Sequence, residues 1–546
     1  MIGLMMQQPL LVASLLTHAE RHHASQEIVS RRVEGDIHRY RFADLARRSR
    51  RMANALVTLG IRPGDRVATL AWNGYRHLEL NFAVSGSGAV LHTINPRLHL
   101  DQIAYIVEHA DDRIIFFDLT FLPIIDALRA RLVEPRLFVA MCDPEHMPET
   151  QDGPLLCYED LIDAHSDRYD WPSMDENTAS SLCYTSGTTG QPKGVLYSHR
   201  STILHSYAGA LPDAFNCSAR DTILPVVPMF HVNAWGLPFI ACMVGAKLVL
   251  PGAALDGKSL HELIQTEQVT VSAGVPTIWQ GLLAHVSGRN NAFPSMKRTI
   301  IGGAACSTSM AAQFQKLHNV DVLHAWGMTE LSPLGTVCSF KAHQLALPDD
   351  ERYAVQAKQG RMVYGIDMQI VGPNGQPLPW DGETVGDLVV RGPWVASAYF
   401  NEPGLQPLCD GWFPTGDMAR IDSDGFMQIT DRSKDVIKSG GEWISSIDIE
   451  NIACLHPGVS SATCIGVHHP KWDERPLLLV TRSSGSTLDK DELLTFIEGK
   501  LARWWKPDDV IFLDAFPLGA TGKVLKNKLR EQYGDHYAGR DAPRQV

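Results

Sequence analysis

Apolar residues recur along this chain in two rhythms. DRVATLAW (65–72), RIIFFD (113–118), RLFVAM (136–141) and KLVLPG (247–252) are short, nearly continuous apolar runs bounded by polar or turn residues. Runs of that length predict buried strands. LLVASLLTHAERHH (10–23), FADLARRSRRMANALVTLG (42–60) and SLHELIQTEQ (259–268) are amphipathic and predict helices. The alternation predicts α/β layers with largely parallel strands. Beyond about residue 360 the rhythm shifts to short strands between Gly-rich turns, as in GDLVVRG (386–392) and DGFMQITDRSKD (424–435). That change predicts a β-rich subdomain before a last α+β piece.

A chain of 546 residues suggests two to four lobes. Its 45% apolar content is that of a soluble globular protein. A net charge of −12 argues against a general nucleic-acid binder, which needs a basic face. The longest apolar runs, such as 236–246, fall short of the roughly 18–20 residues that cross a membrane. The N-terminus, MIGLMMQQPLLVASLL, has no positive residue before its apolar part and reads as a packed helix rather than a signal peptide. Ten scattered cysteines form no C-x-x-C pair, which fits reduced thiols and a cytoplasmic location.

Chemistry concentrates first in YTSGTTGQPKGVLYSH (184–199). Glycines let backbone N–H groups approach a ligand, the hydroxyls donate, and the lysine adds charge. That is a composition for holding phosphates. It is not the ordinary NTPase loop: Pro192 stands where that motif needs glycine, and Gly194 where it needs Ser or Thr. A surface turn without ligand is the plainer alternative.

Four further stretches follow in order: VPMFHVNAWG (227–236), HAWGMTE (324–330), GWFPTGDMARID (411–422) running into DGFMQITDRSKDVIKSGGEWIS, and GATGKVLKNKLRE (519–531). Together with the loop they resemble the adenylate-forming superfamily of acyl-CoA synthetases, luciferases and peptide-synthetase adenylation domains. The resemblance runs from about residue 10 to about residue 532. VPMFHVNAWG and KSGGEWIS resemble the fatty acyl-CoA synthetase branch. HTINPRL (92–98) and HPKWDERP (469–476) add a likeness to medium-chain fatty acid and 3-methylmercaptopropionate CoA ligases.

The resemblance implies two half-reactions. A carboxylate displaces pyrophosphate from ATP to give acyl-AMP, and the thiol of CoA then displaces AMP. It implies a large α/β N-terminal domain over residues 1–432, with the β-rich subdomain at about 360–432, a small mobile α+β C-terminal domain over 433–535, and a tail over 536–546. Thr185, Ser186, Gly187, Thr188, Thr189, Gly190 and Lys193 would cover the outer phosphates. Thr185 and Glu330 would hold Mg2+, a cation that prefers hard oxygen ligands. Gly302, Gly303, Ala304, Trp326, Gly327, Met328 and Thr329 would surround the adenine side, with Trp326 where the family usually has Tyr.

Asp417 would accept the two ribose hydroxyls, for which one carboxylate suffices. Arg432 would meet the phosphate or ribose side. Lys523 would offset negative charge at the α-phosphate in the transition state. By the same resemblance Lys434 would be the hinge, and Gly440, Gly441, Glu442 and Trp443 would line the CoA path. His231 and Trp235 would lie in the acyl region; a core aromatic and a structural histidine are the alternatives there.

The reading is thus an ATP-dependent fatty acid–CoA ligase, medium-chain acids first, with 3-methylmercaptopropionate and long-chain acids as alternatives. Its partners would be ATP, CoA and the acid. The rival among enzymes is an adenylating protein that does not use free CoA. A binding module that lost its chemistry should have lost Lys523 or Glu330, and both are present. His468, His469, Asp473 and Glu474 sit in an irregular, Pro-bounded run unlike a zinc site. Peripheral membrane contact and a homodimer stay open.

Overall fold

The computed structural model describes residue 1 and residues 3–149, 153–185, 191–402, 411–432, 435–439, 442–519 and 523–537, with backbone alone at 442 and 443. The chain is a mixed α/β protein, with large N-terminal layers and a smaller C-terminal unit. Among these residues the strands form sheets of nine, seven, four and five members.

Two of these sheets explain the continuous apolar runs. The seven-stranded sheet holds Arg66–Leu70, Asp112–Phe117 and Leu137–Ala140 in parallel register. Leu56, Leu80 and Val84 cover one of its faces, and Ile103, Ile106 and Ile125 the other. The nine-stranded sheet carries Lys247–Leu250 between Thr222–Pro225 and Glu27–Arg31 and parallel to both. Phe82, Leu237 and Ile240 pack on one face; Trp279, Phe293 and Phe314 pack on the other. A strand covered on both sides has no position for a polar residue to face water, so its alternation disappears.

The amphipathic stretches form the covering layers. Val12–His22, Phe42–Thr58 and Gly257–Glu267 are helices with one buried stripe each. The first starts without a side-chain cap, but the His199 Nδ1 accepts the Val12 N–H at 3.1 Å, so the N-terminal helix is tied to the body. No helix among the described residues is long and apolar enough to cross a membrane.

Beyond residue 360 the antiparallel four-stranded sheet runs Asp367–Val371, Gly386–Arg391, Phe413–Ile421, Met427–Arg432. The five-stranded sheet follows, built on the long hairpin Val459–His469 and Asp473–Arg482. That hairpin occupies the irregular run of His468 and His469, and pairs His468 with Glu474. Ile449, Leu493 and Ile497 pack on one face of this sheet, Leu529 and Tyr537 on the other. It is tied back to the preceding unit where Ser445 Oγ donates to the Thr430 carbonyl at 2.6 Å and the Ser446 N–H donates to Asp431 Oδ2 at 2.8 Å.

Candidate active site

Ligands of parallel sheets gather at the carboxyl ends of the strands. Here the carboxyl ends of Arg298–Ile301 and Asp321–Gly327 deliver Gly302–Ala304 and Trp326 to one cleft of about 1760 Å³. The glycines there are steric requirements. A Cβ on Gly302 would stand 2.8 Å from the Ala325 carbonyl oxygen, and one on Gly327 would stand 2.0 Å from that of Pro333. Gly303 has φ 79°, a left-handed conformation that side chains resist.

The Gly/Thr-rich loop reaches the same cleft through its described ends, Thr185, Gln191 and Lys193. It joins Ala179–Tyr184 to the antiparallel strand Gly194–Ser198, not to a helix as an ordinary NTPase loop would. Its ends are closed by the Thr185 N–H to the Lys193 carbonyl, 2.9 Å, and by the Lys193 N–H to Thr185 Oγ1, 3.2 Å. Ser186, Gly187, Thr188, Thr189 and Gly190 lie outside the described residues, as do Lys434, Gly440 and Gly441. The strand Glu442–Ile444 pairs Lys438 with Trp443 and Ser439 with Glu442, while the side chains of Glu442 and Trp443 lie outside the description.

Asp417 comes from the four-stranded sheet and is 2% exposed. Its register partner across the hairpin is Arg432, whose Nε lies 2.7 Å from Asp417 Oδ1. The indole Nε1–H of Trp326 donates to Asp417 Oδ2 at 3.1 Å. Burial pushes the Asp417 carboxyl up, while Arg432, Lys523 and the Trp326 bond pull it back. Trp326 therefore orients a carboxylate from a neighbouring sheet, a task that a Tyr-for-Trp comparison of sequences did not suggest. Its ring packs on Gly335, where a Cβ would stand 2.5 Å away.

Glu330 sits in the short 3₁₀ turn Thr329–Leu331. The Tyr399 hydroxyl donates to Glu330 Oε1 at 2.5 Å, and the Tyr197 hydroxyl donates to the Thr329 carbonyl at 2.6 Å. Neither tyrosine was singled out from sequence. Both partners are far along the chain, and only YTSGTTG-like composition gave a local signal.

Lys523 reaches the same cleft from the C-terminal unit. Its turn is closed by the Gly519 N–H to the Lys523 carbonyl at 2.7 Å and the Leu525 N–H to the Pro517 carbonyl at 2.8 Å. The side chain is open to solvent inside the cleft, yet protein surrounds it. That desolvation, with repulsion from Arg432, brings its ammonium down to about 8, while Asp417 and Glu330 oppose the shift. Asp417, Glu330 and Arg432 are thus close enough to act on Lys523, although the four come from three separate units of the fold.

His231 and Trp235 line the cleft, and burial brings the His231 imidazole down to about 4, with Lys523 and Arg97 adding to the effect. A neutral His231 can accept or donate one hydrogen bond but carries no charge for a carboxylate. Residues 232–235 form a left-handed turn, with φ of 45°, 51°, 51° and 56°. Asn233 Nδ2 holds it by donating to Ser181 Oγ at 3.0 Å. The turn presses the Trp235 ring against the glycine pair, 3.1 Å from where a Gly302 Cβ would stand. Arg97, unassigned from sequence, also faces the cleft, 5.9 Å from the Phe230 ring centroid.

Lys523, Asp417 and the ends of the Gly/Thr-rich loop thus converge on one glycine-lined cleft. The sequence matches the AMP-binding enzyme family over residues 15–400 and the AMP-binding enzyme C-terminal domain over 448–523. The chain belongs to that family, in its acyl-CoA synthetase branch. It is 53% identical to a 3-methylmercaptopropionyl-CoA ligase of Ruegeria lacuscaerulensis, over 99% of this chain and 100% of that protein. It is 52% identical to a medium-chain-fatty-acid–CoA ligase of Ectopseudomonas oleovorans, over 98% of each. Its fold matches ATP-bound MatB from Rhodopseudomonas palustris with a TM-score of 0.83 and 26% identity, over 97% of this chain and 100% of that one.

Proposed function

We propose that the protein joins a fatty acid, medium-chain by preference, to coenzyme A through an acyl-adenylate. The observation that carries this is the meeting of Lys523, Asp417, Arg432 and Glu330 in one cleft. In the first half-reaction the acid's carboxylate oxygen bonds to the α-phosphorus of ATP, and the bond to pyrophosphate breaks. Lys523 offsets the charge that gathers on the α-phosphate oxygens. Asp417, fixed by Trp326 and Arg432, accepts the ribose hydroxyls. Lys193 and the loop from Thr185 hold the outer phosphates.

The donor set suits magnesium: Glu330 offers a second carboxylate oxygen and Thr185 a hydroxyl, both hard ligands that line the same cleft. Bound there, the ion would screen the phosphate charges. In the second half-reaction the CoA sulfur bonds to the acyl carbon and AMP leaves. We place the CoA path along 440–443 and the hinge at Lys434, on the motif resemblance.

The two relatives are named for different acids, and their identities of 53% and 52% favour neither. Each added methylene contributes about 0.8 kcal/mol in an apolar channel, so the channel's depth decides the substrate. AMP release with ATP, magnesium and CoA should be measured for acids from propionate to palmitate and for 3-methylmercaptopropionate. The expected optimum lies between hexanoate and decanoate. An optimum at the thioether acid moves the assignment to that substrate, and AMP release independent of CoA with every acid overturns the ligase reading.

A further inference from the structure

The segment that leaves strand Gly386–Arg391 touches both sides of the phosphate site, and none of the motifs accounts for it. The Ala396 N–H donates to the Glu330 carbonyl at 2.7 Å, and the Tyr399 hydroxyl donates to Glu330 Oε1 at 2.5 Å. One residue on, the Phe400 N–H donates to the Gly194 carbonyl, 2.8 Å, at the foot of the phosphate hairpin. Lys193 Nζ stands 4.8 Å from the centroid of the Tyr399 ring and 3.6 Å from Glu402 Oε2. One side chain therefore contacts the residue read as the metal carboxylate and the residue read as the phosphate lysine.

We propose that Tyr399 is a positioning residue: its hydroxyl fixes Glu330 and its ring guides Lys193, so that both aim at the nucleotide's phosphates together. This rests on the nucleotide reading above. A hydrogen bond to an ionised acceptor is short and strong, and it occupies one carboxylate oxygen, leaving the other for a cation. The face of a phenol ring attracts an ammonium. Groups oriented before the ligand arrives cost less to order when it binds. The ring also packs against Cys183, Val195 and Tyr197, so a purely structural role is the competing account.

The Tyr399→Phe variant separates the two, because it keeps the ring and removes the hydroxyl. ATP binding should be measured by calorimetry with magnesium and with EDTA, beside the thermal midpoint. Loss of a group that orients a metal ligand weakens the site about tenfold. Tyr399→Phe is expected to weaken ATP binding by about that factor with magnesium, and to leave binding in EDTA and the thermal midpoint unchanged. In a Glu330→Gln background it should cause no further loss, since the coupling partner is gone. Tyr399→Leu should lose affinity in EDTA as well, through Lys193.

Equal loss with and without magnesium, or no loss at all, overturns the inference. If Glu330→Gln abolishes the magnesium effect while Tyr399→Phe does nothing, this inference alone falls. If Glu330→Gln leaves the magnesium effect untouched, the metal reading of Glu330 falls and takes the inference with it.

Discussion

Lys523 is charged or neutral according to its surroundings, and those surroundings are tertiary. Desolvation and Arg432 disfavour its ammonium, which titrates at about 8 in the free protein. An unperturbed lysine titrates near about 10.4. Below the lowered value the cation is present; above it the cation is lost. The rate of adenylation at low ATP reports the free enzyme and should therefore fall as pH rises through about 8. Competitive amine labelling should give Lys523 the same midpoint, and ATP, as a polyanion, should raise it. Lys523→Ala should abolish acyl-AMP formation yet leave thioester formation from supplied acyl-AMP largely intact. Equal loss of both half-reactions would remove the lysine from the adenylation step.

At the level of elements, the unusual piece is the turn 232–235. Left-handed backbone costs L-residues about 1–2 kcal/mol each, and asparagine tolerates it best. Four consecutive residues with positive φ, none of them glycine, therefore need outside support. Packing supplies part of it, since Val232, Asn233, Ala234 and Trp235 are all buried. The Asn233 bond to Ser181 supplies a directional part, and it ties the turn to the strand that enters the phosphate loop. Asn233→Ala should lower the unfolding free energy by about 1–3 kcal/mol in urea titrations. It should also shift the acid-length profile, because Trp235 then loses its fixed place. A variant with wild-type stability and profile would mean that packing alone holds the turn.

For the whole molecule, buried histidines set the response to acid. His77, His199, His231 and His324 are brought to about 4, and His205 to about 3, each chiefly by burial. In the unfolded chain each titrates near about 6.5. The unfolded state thus binds more protons between the two values, so stability is fully present above the unfolded value and drains away as pH falls towards the folded one. Carboxyls work against this trend: burial pushes Asp118 up to about 7 and also raises Glu79, Asp112, Asp321, Asp417, Asp431 and Asp448, so the folded state binds those protons first. With His23, His38, His109 and His318 also lowered, nine imidazoles oppose seven raised carboxyls, and the thermal midpoint should fall between pH 6.5 and pH 4. A flat midpoint across that range would show the imidazoles to be hydrated.

The sequence by itself determined the layers and the chemical inventory. Continuous apolar runs became doubly covered strands, amphipathic stretches became their covers, and the turn-rich region became antiparallel sheet. Each is a local rule of periodicity that needs no knowledge of partners. Asp417, Glu330 and Lys523 were named from the motif resemblance, and the structure brings all three to one cleft. What only the tertiary structure decided is how those groups are aimed. Trp326 and Asp417 are 91 residues apart, and Tyr399 and Glu330 are 69 apart. No local propensity encodes a hydrogen bond over such a separation. The left-handed turn was equally invisible, since VNAW has no glycine to announce it. It is held in large part by burial and by the Asn233 bond to a strand 52 residues earlier, so much of the energy that fixes it lies outside its own sequence.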